Sequence, residues 1–126
     1  MSEAGMRVLI FDDRRTIQEA IRATTGLPDG IGKWGTKVMV RPPRWDGEKL
    51  VEDFENAFDT IRHNDNFDVL ILDNDLGVGV EGYRFLMDLI EKMPAKVPII
   101  VKSCSSNPDR RIAIESYHQN WLRSLE

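Results

Sequence analysis

The sequence predicts an α/β fold, a mostly parallel sheet with helices on both faces. Three observations predict it. Short apolar runs of strand length alternate with segments of helical spacing, giving β-α-β-α-β-α-β-α. The runs are apolar on both faces, as strands buried between helices are. Two of them end abruptly in acids, as strand ends do at the ligand-binding rim of a doubly wound sheet. At 126 residues the chain suits a single domain over 1–126.

Arg7 to Phe11 (Arg-Val-Leu-Ile-Phe) is the first strand and halts at Asp12-Asp13. Ile17, Ala20, Ile21 and Thr24 recur at helical spacing within Thr16 to Thr25, and Gly26-Leu27-Pro28-Asp29-Gly30 stops that helix. Gly30 to Gly35 reads as loop, because its glycines lack phosphate-loop spacing. Thr36 to Arg41 is the second strand, ended by Pro42-Pro43. Glu48 to Arg62 is an amphipathic helix with the stripe Leu50, Val51, Phe54, Ala57, Phe58 and Ile61. Phe67 to Leu72 is the third strand and runs into Asp73 and Asp75. After Gly77, Gly79 and Gly82, the side chains Tyr83, Phe85, Leu86, Leu89, Ile90 and Met93 share a helix face before Pro94. Val97 to Val101 is the fourth strand, with Pro98 near its start. A last helix from Asp109 to Leu125, capped through Ser106, Asn107 or Asp109, carries Ile112, Ile114, Tyr117, Trp121 and Leu122.

Composition excludes several classes. Apolar residues at 41% and charged residues at 30% are ordinary for a folded globular chain. No run approaches the roughly 18 to 20 apolar residues of a membrane span, and Met1 to Arg7 is not followed by an apolar h-region of about 7–15 residues as in a secretory signal. Cys104 is the only cysteine, so an intrachain disulfide and a thiolate zinc cluster are both excluded, and a cytoplasmic location is expected. A net charge of −4 gives no global attraction for nucleic acid, which is not an expected partner. Lys33, Lys37, Arg41 and Arg44, interleaved with Trp34 and Trp45, form either a solvated surface or a local nucleotide clamp.

If the order is 2-1-3-4, as in flavodoxin-like sheets, the first and third strands are neighbours at the switch point, which brings Asp12, Asp13 and Asp73 together. Crowded carboxylates repel and are relieved by a hard cation such as Mg²⁺, whose open positions can carry phosphate oxygens. The plainer reading is that strands end in solvated acids which cap the following helices.

Val8-Leu9-Ile10-Phe11-Asp12-Asp13-Arg14-Arg15, Val69-Leu70-Ile71-Leu72-Asp73-Asn74-Asp75-Leu76-Gly77 and Val97-Pro98-Ile99-Ile100-Val101 together resemble the receiver domain of bacterial response regulators, which has a flavodoxin-like sheet. The resemblance is closer to the cyclic-phosphate-processing receiver-like group. Its pattern is matched by Asp12-Asp13-Arg14-Arg15, Leu72-Asp73-Asn74-Asp75-Leu76-Gly77, Gly82-Tyr83 and Cys104-Ser105-Ser106-Asn107-Pro108, over roughly residues 7 to 118. The resemblance implies Mg²⁺ as cofactor, held by Asp12, Asp13 and Asp73 with a group near Asp75, and Asp73 as phosphoacceptor. Two departures stand out: Asn74 and Cys104 replace histidines of the pattern, and the typical fifth strand with its terminal lysine is absent from the predicted elements. Lys102, at the predicted end of the fourth strand, could approach phosphate instead. A fourth strand left as an edge invites a helical cover or a partner chain, so a homodimer is also expected.

Asp73, Arg15 and Ser105 are the candidate catalytic set, and Arg15, Lys102, Ser105 and Asn107 the candidate phosphate ligands. Asn107 either orients phosphate or caps the last helix, and Arg14 competes with Arg15 for the rim. The functional expectation is a non-catalytic or weakly catalytic receiver-like module that binds Mg²⁺ and a phosphate-containing small molecule or protein partner. Two alternatives stay open: Mg²⁺-dependent hydrolysis of a phosphate ester or cyclic phosphate, and an aspartyl-phosphate switch at Asp73.

Overall fold

Four parallel strands, β1 (Val8–Phe11), β2 (Lys37–Val40), β3 (Val69–Leu72) and β4 (Ile100–Ser103), pair in the order β2-β1-β3-β4. The computed structural model describes residues 7–12, 15–24, 26–27, 37–40, 58–74 and 82–126. The helices are α1 (Ile17–Ala23), α2 (described over 58–62), α3 (Gly82–Lys92) and α4 (Pro108–Ser124). The expected strand order and helix placement are both present. Trp34, Trp45, Lys33, Arg41, Arg44 and the first part of the Glu48 to Arg62 stripe lie outside the described residues.

Alternation along the strands divides the core in two. Leu9, Phe11, Leu70, Leu72 and Val101 face Phe58, Ile61, Phe85, Leu86, Leu89 and Ile114 of α2, α3 and α4. Val8, Ile10, Val69, Ile71 and Ile100 face Ala20, Ile17 and Ile21 of α1. Each fully buried Leu, Ile or Phe contributes about 1.5–3 kcal/mol from leaving water, which makes this central layer the main stabilising term. β1 and β3 run in register, Phe11 beside Leu72, so Asp12 and Asp73 emerge side by side at one rim.

Helix α1 starts on a full capping box. Glu19 N–H donates to Thr16 Oγ1 at 3.1 Å, and Thr16 N–H donates to Glu19 Oε1 at 2.9 Å. The helix ends at Thr24, and Gly26 follows with φ of +76°, a left-handed conformation that glycine adopts without strain.

The fourth strand lies further along the chain than the 97–101 expected from its apolar run. Pro98 has no N–H to give a ladder, and residues Pro94–Lys96 form a 3-10 turn whose closing bond uses the Val97 N–H. The ladder therefore begins with Ile100 N–H donating to Asp68 C=O at 3.3 Å. Lys102 consequently sits inside β4, opposite Ile71, rather than at its end.

The outer edge of β4 has a helical cover. Ser103 N–H donates to Glu115 Oε2 of α4 at 3.0 Å, and His118 of α4 bonds through Nε2 to Pro98 C=O at 2.9 Å. Of the two covers expected for this edge, the helix is the one seen at both points, which removes part of the reason for expecting a homodimer. α4 also departs from its predicted stripe: Ile114 is buried, but Ile112 is 62% exposed. The α4 face is set by these polar contacts to the strand edge as well as by apolar spacing.

Pro98 C=O can only accept, so His118 Nε2 carries the proton and Nδ1 is the bare nitrogen, buried without a partner among the described residues. Burial lowers the His118 pKa, and the hydrogen bond to Pro98 only partly offsets this. Unfolding therefore takes up a proton as pH falls below about 6.5, the ordinary histidine value, and stability drops with it. The expected slope is up to about 1.4 kcal/mol per pH unit from this residue. Urea titrations between pH 5 and 7 should show the slope in the wild type and a flatter profile in His118→Gln, which keeps a donor for Pro98. Equal slopes in the two proteins would contradict the assignment.

Candidate functional site

Asp12 ends β1 with its side chain fully buried, and its carboxylate shapes the turn that follows. Asp12 Oδ1 accepts the Arg15 backbone N–H at 2.9 Å, folding the chain back from the strand toward the α1 cap. The Arg15 side chain then returns over the rim. Its Nη1 lies 3.2 Å from Asp12 Oδ2 and 3.5 Å from Asp73 Oδ2, so one guanidinium nitrogen serves both carboxylates. Burial works against the Arg15 charge, but the hydrogen bond to Asp12 and the neighbouring negative groups raise its pKa overall. Arg15 lies at the rim; Arg14, Asp13 and Asp75 lie outside the described residues.

Cys104 comes off the end of β4 onto the same group. Its Sγ donates to Asp12 Oδ2 at 3.3 Å and lies 3.9 Å from Arg15 Nη1. Burial, followed by the nearby Asp12 and Asp73 charges, pushes the thiol far above its usual range, so it stays protonated as a donor. The sequence offered Cys104 only as a missing histidine, and its part in the rim hydrogen bonds is an addition. Asn74, at the other replaced position, is also buried. Its side-chain oxygen faces the Tyr83 N–H at 3.4 Å, and its C=O accepts the Gly82 N–H at 2.7 Å, which anchors the start of α3 beneath Asp73.

Of the remaining candidates, Ser105 and Asn107 lie in the β4–α4 turn that follows Cys104, and Lys102 lies inside β4. Ser105 Oγ accepts the Asn107 N–H at 3.1 Å, Ser103 Oγ accepts the Ser105 N–H at 3.1 Å, and Arg111 holds Ser105 C=O at 2.7 Å. Asn107 is the α4 N-cap, its Oδ1 accepting Asp109 N–H at 2.9 Å. Lys102 Nζ stands 3.8 Å from Glu115 Oε1. Neither Arg111 nor Glu115 was marked by the sequence, because Arg111 acts from α4 on the turn before it and Glu115 acts from α4 on strand β4.

Among the described residues no group of three or more His, Cys, Asp and Glu side chains is placed to hold a metal ion. In donor chemistry Asp12 and Asp73 do suit a hard cation, since two anionic oxygens converge on one positive group. In this structure that positive group is Arg15.

Among the described residues no helix is long and apolar enough to cross a membrane. No curated protein and no solved structure matches the chain. One family profile does, described as the cyclic-phosphate processing receiver domain, and it covers residues 7–120.

Proposed function

The chain belongs to the cyclic-phosphate processing receiver domain family, and from that premise we propose a module that binds a phosphate-bearing ligand at the Asp12–Arg15–Asp73 rim with little or no turnover. One observation carries the reading. Both positions where the family pattern has histidine hold groups tied into hydrogen bonds, Cys104 to Asp12 and Asn74 to the start of α3. Neither exchanges a proton near neutral pH, and a positioned acid or base accounts for about 10²–10⁴-fold of a typical rate.

Asp12, Asp73 and Arg15 sum to one negative charge, which by itself repels phosphate. Asp12 and Asp73, with Asp13 and Asp75, would hold Mg²⁺, which would supply the missing positive charge. Arg15 contributes paired N–H donors matched to phosphate oxygens. Ser105 and Asn107 shape the turn that follows Cys104, and Lys102 would add positive charge from β4 on release from Glu115. A free, buried Cys104 suits the reducing cytoplasm in which we place the protein.

Calorimetric titration with inorganic phosphate and with linear and cyclic nucleoside monophosphates, in Mg²⁺ buffer, tests this directly. Saturable binding is expected, weakened about tenfold or more in Arg15→Lys, where the charge stays and the planar fork is lost. Phosphorus NMR of the same samples should show the ligand unchanged. Turnover near the 1 s⁻¹ scale of ordinary enzymes (about 1–10³ s⁻¹) would replace this reading with hydrolysis. No binding of any phosphate would refute both.

A second reading has its own support. Asp73 keeps a tenth of its side chain exposed where Asp12 has none, so it is the carboxylate an incoming phosphorus can reach. An aspartyl-phosphate switch would appear as a mass increase with an acyl-phosphate donor, lost in Asp73→Asn.

A further inference from the structure

We infer that Arg15 is an internal counter-ion that competes with a divalent cation for the Asp12 and Asp73 carboxylates, so that cation entry turns its guanidinium outward to the phosphate. This rests on the reading that the rim takes a phosphate together with Mg²⁺. Arg15 Nη1 lies 3.2 and 3.5 Å from the Oδ2 atoms of the two acids, between the groups a cation would have to join. A magnesium ion demands oxygens at about 2.0–2.1 Å and tolerates little distortion of its shell. A guanidinium and a divalent ion cannot share that position, because their charges repel at contact distance in a partly desolvated rim.

The backbone is built for a side-chain movement alone. Arg15 N–H is fixed on Asp12 Oδ1 at 2.9 Å, and the next residue, Thr16, is locked in the α1 capping box. The Cα therefore stays in place while the side chain, 27% exposed, has a path toward solvent. Cys104 donates to the same Asp12 oxygen and remains to hold that carboxylate when the guanidinium leaves. Metal and phosphate would then bind with positive cooperativity: the metal removes Arg15 from its carboxylates, and the phosphate gives it a new anionic partner.

Calorimetric Mg²⁺ titration of the wild type, Arg15→Gln and Arg15→Lys separates the outcomes. The expected result is a Kd at least about tenfold lower in Arg15→Gln, where the competing charge is gone, and near the wild-type value in Arg15→Lys. Phosphate should tighten Mg²⁺ binding in the wild type and lose that effect in Arg15→Gln. Equal Mg²⁺ affinity in wild type and Arg15→Gln overturns the competition and leaves the metal reading standing. Binding by none of the three overturns both. If Arg15→Gln is unfolded without metal, recovery of its helical circular dichroism on adding MgCl₂ is the expected result, and no recovery overturns the proposal.

Discussion

Gly82→Ala is expected to destabilise the protein by about 3 kcal/mol, because a Cβ at this position would meet the Asp73 carbonyl oxygen at 2.0 Å and Leu72 Cγ at 3.0 Å. The obstructing atom is backbone of the rim strand, so no side-chain rotation relieves it. The two other consequences of the substitution act in the opposite direction. Alanine gains up to about 1 kcal/mol over glycine in helix propensity, and it restricts the unfolded chain. A loss of stability is therefore diagnostic of the close approach. Thermal unfolding should show a midpoint lowered by roughly 10 °C. An unchanged or raised midpoint would mean that α3 does not start against Asp73. Because the relief must come from moving Asp73, the variant should also lose phosphate binding out of proportion to its stability.

Phe85→Ala should cost about 3–5 kcal/mol, the range for removing a fully buried aromatic side chain. Phe85 of α3 meets Phe11 of β1 edge-on with ring centroids 4.4 Å apart, and stacks on Phe58 of α2 at 5.4 Å. It thus joins α2 and α3 to strand β1 through Phe11, the residue preceding Asp12. Urea denaturation should record the loss as a lower midpoint at nearly unchanged slope. Phe85→Leu, which leaves a smaller void, should recover more than half of it. A loss below about 1.5 kcal/mol would show that the site can collapse around the missing ring.

The two substitutions probe different relations between sequence and structure. Phe85 belongs to a helical stripe that was legible from spacing, since Phe85, Leu86 and Leu89 recur on one face and are all buried. Gly82 was legible only as a loop glycine opening a helix. Its need for no side chain arises from the approach of β3, a relation between segments that spacing does not encode. The displaced fourth strand has a similar origin. Val97 to Val101 has the apolar composition of a strand, but the ladder needs donors, and the proline and the 3-10 turn before it postpone pairing to Ile100.

What the sequence by itself determined is the sheet: its β-α alternation, its parallel sense and, once the order is 2-1-3-4, the arrival of Asp12 and Asp73 at one rim. Apolar runs and helical periods are local signals, and burial reads them one element at a time. What only the tertiary structure decided is how the charges at that rim are settled. Arg15 bridging Asp12 and Asp73, Cys104 donating to Asp12, and Glu115 closing the β4 edge join residues from different strands and helices. Such pairings depend on distances of a few ångströms across the sheet, where a shift of one residue in register would exchange one partner for another.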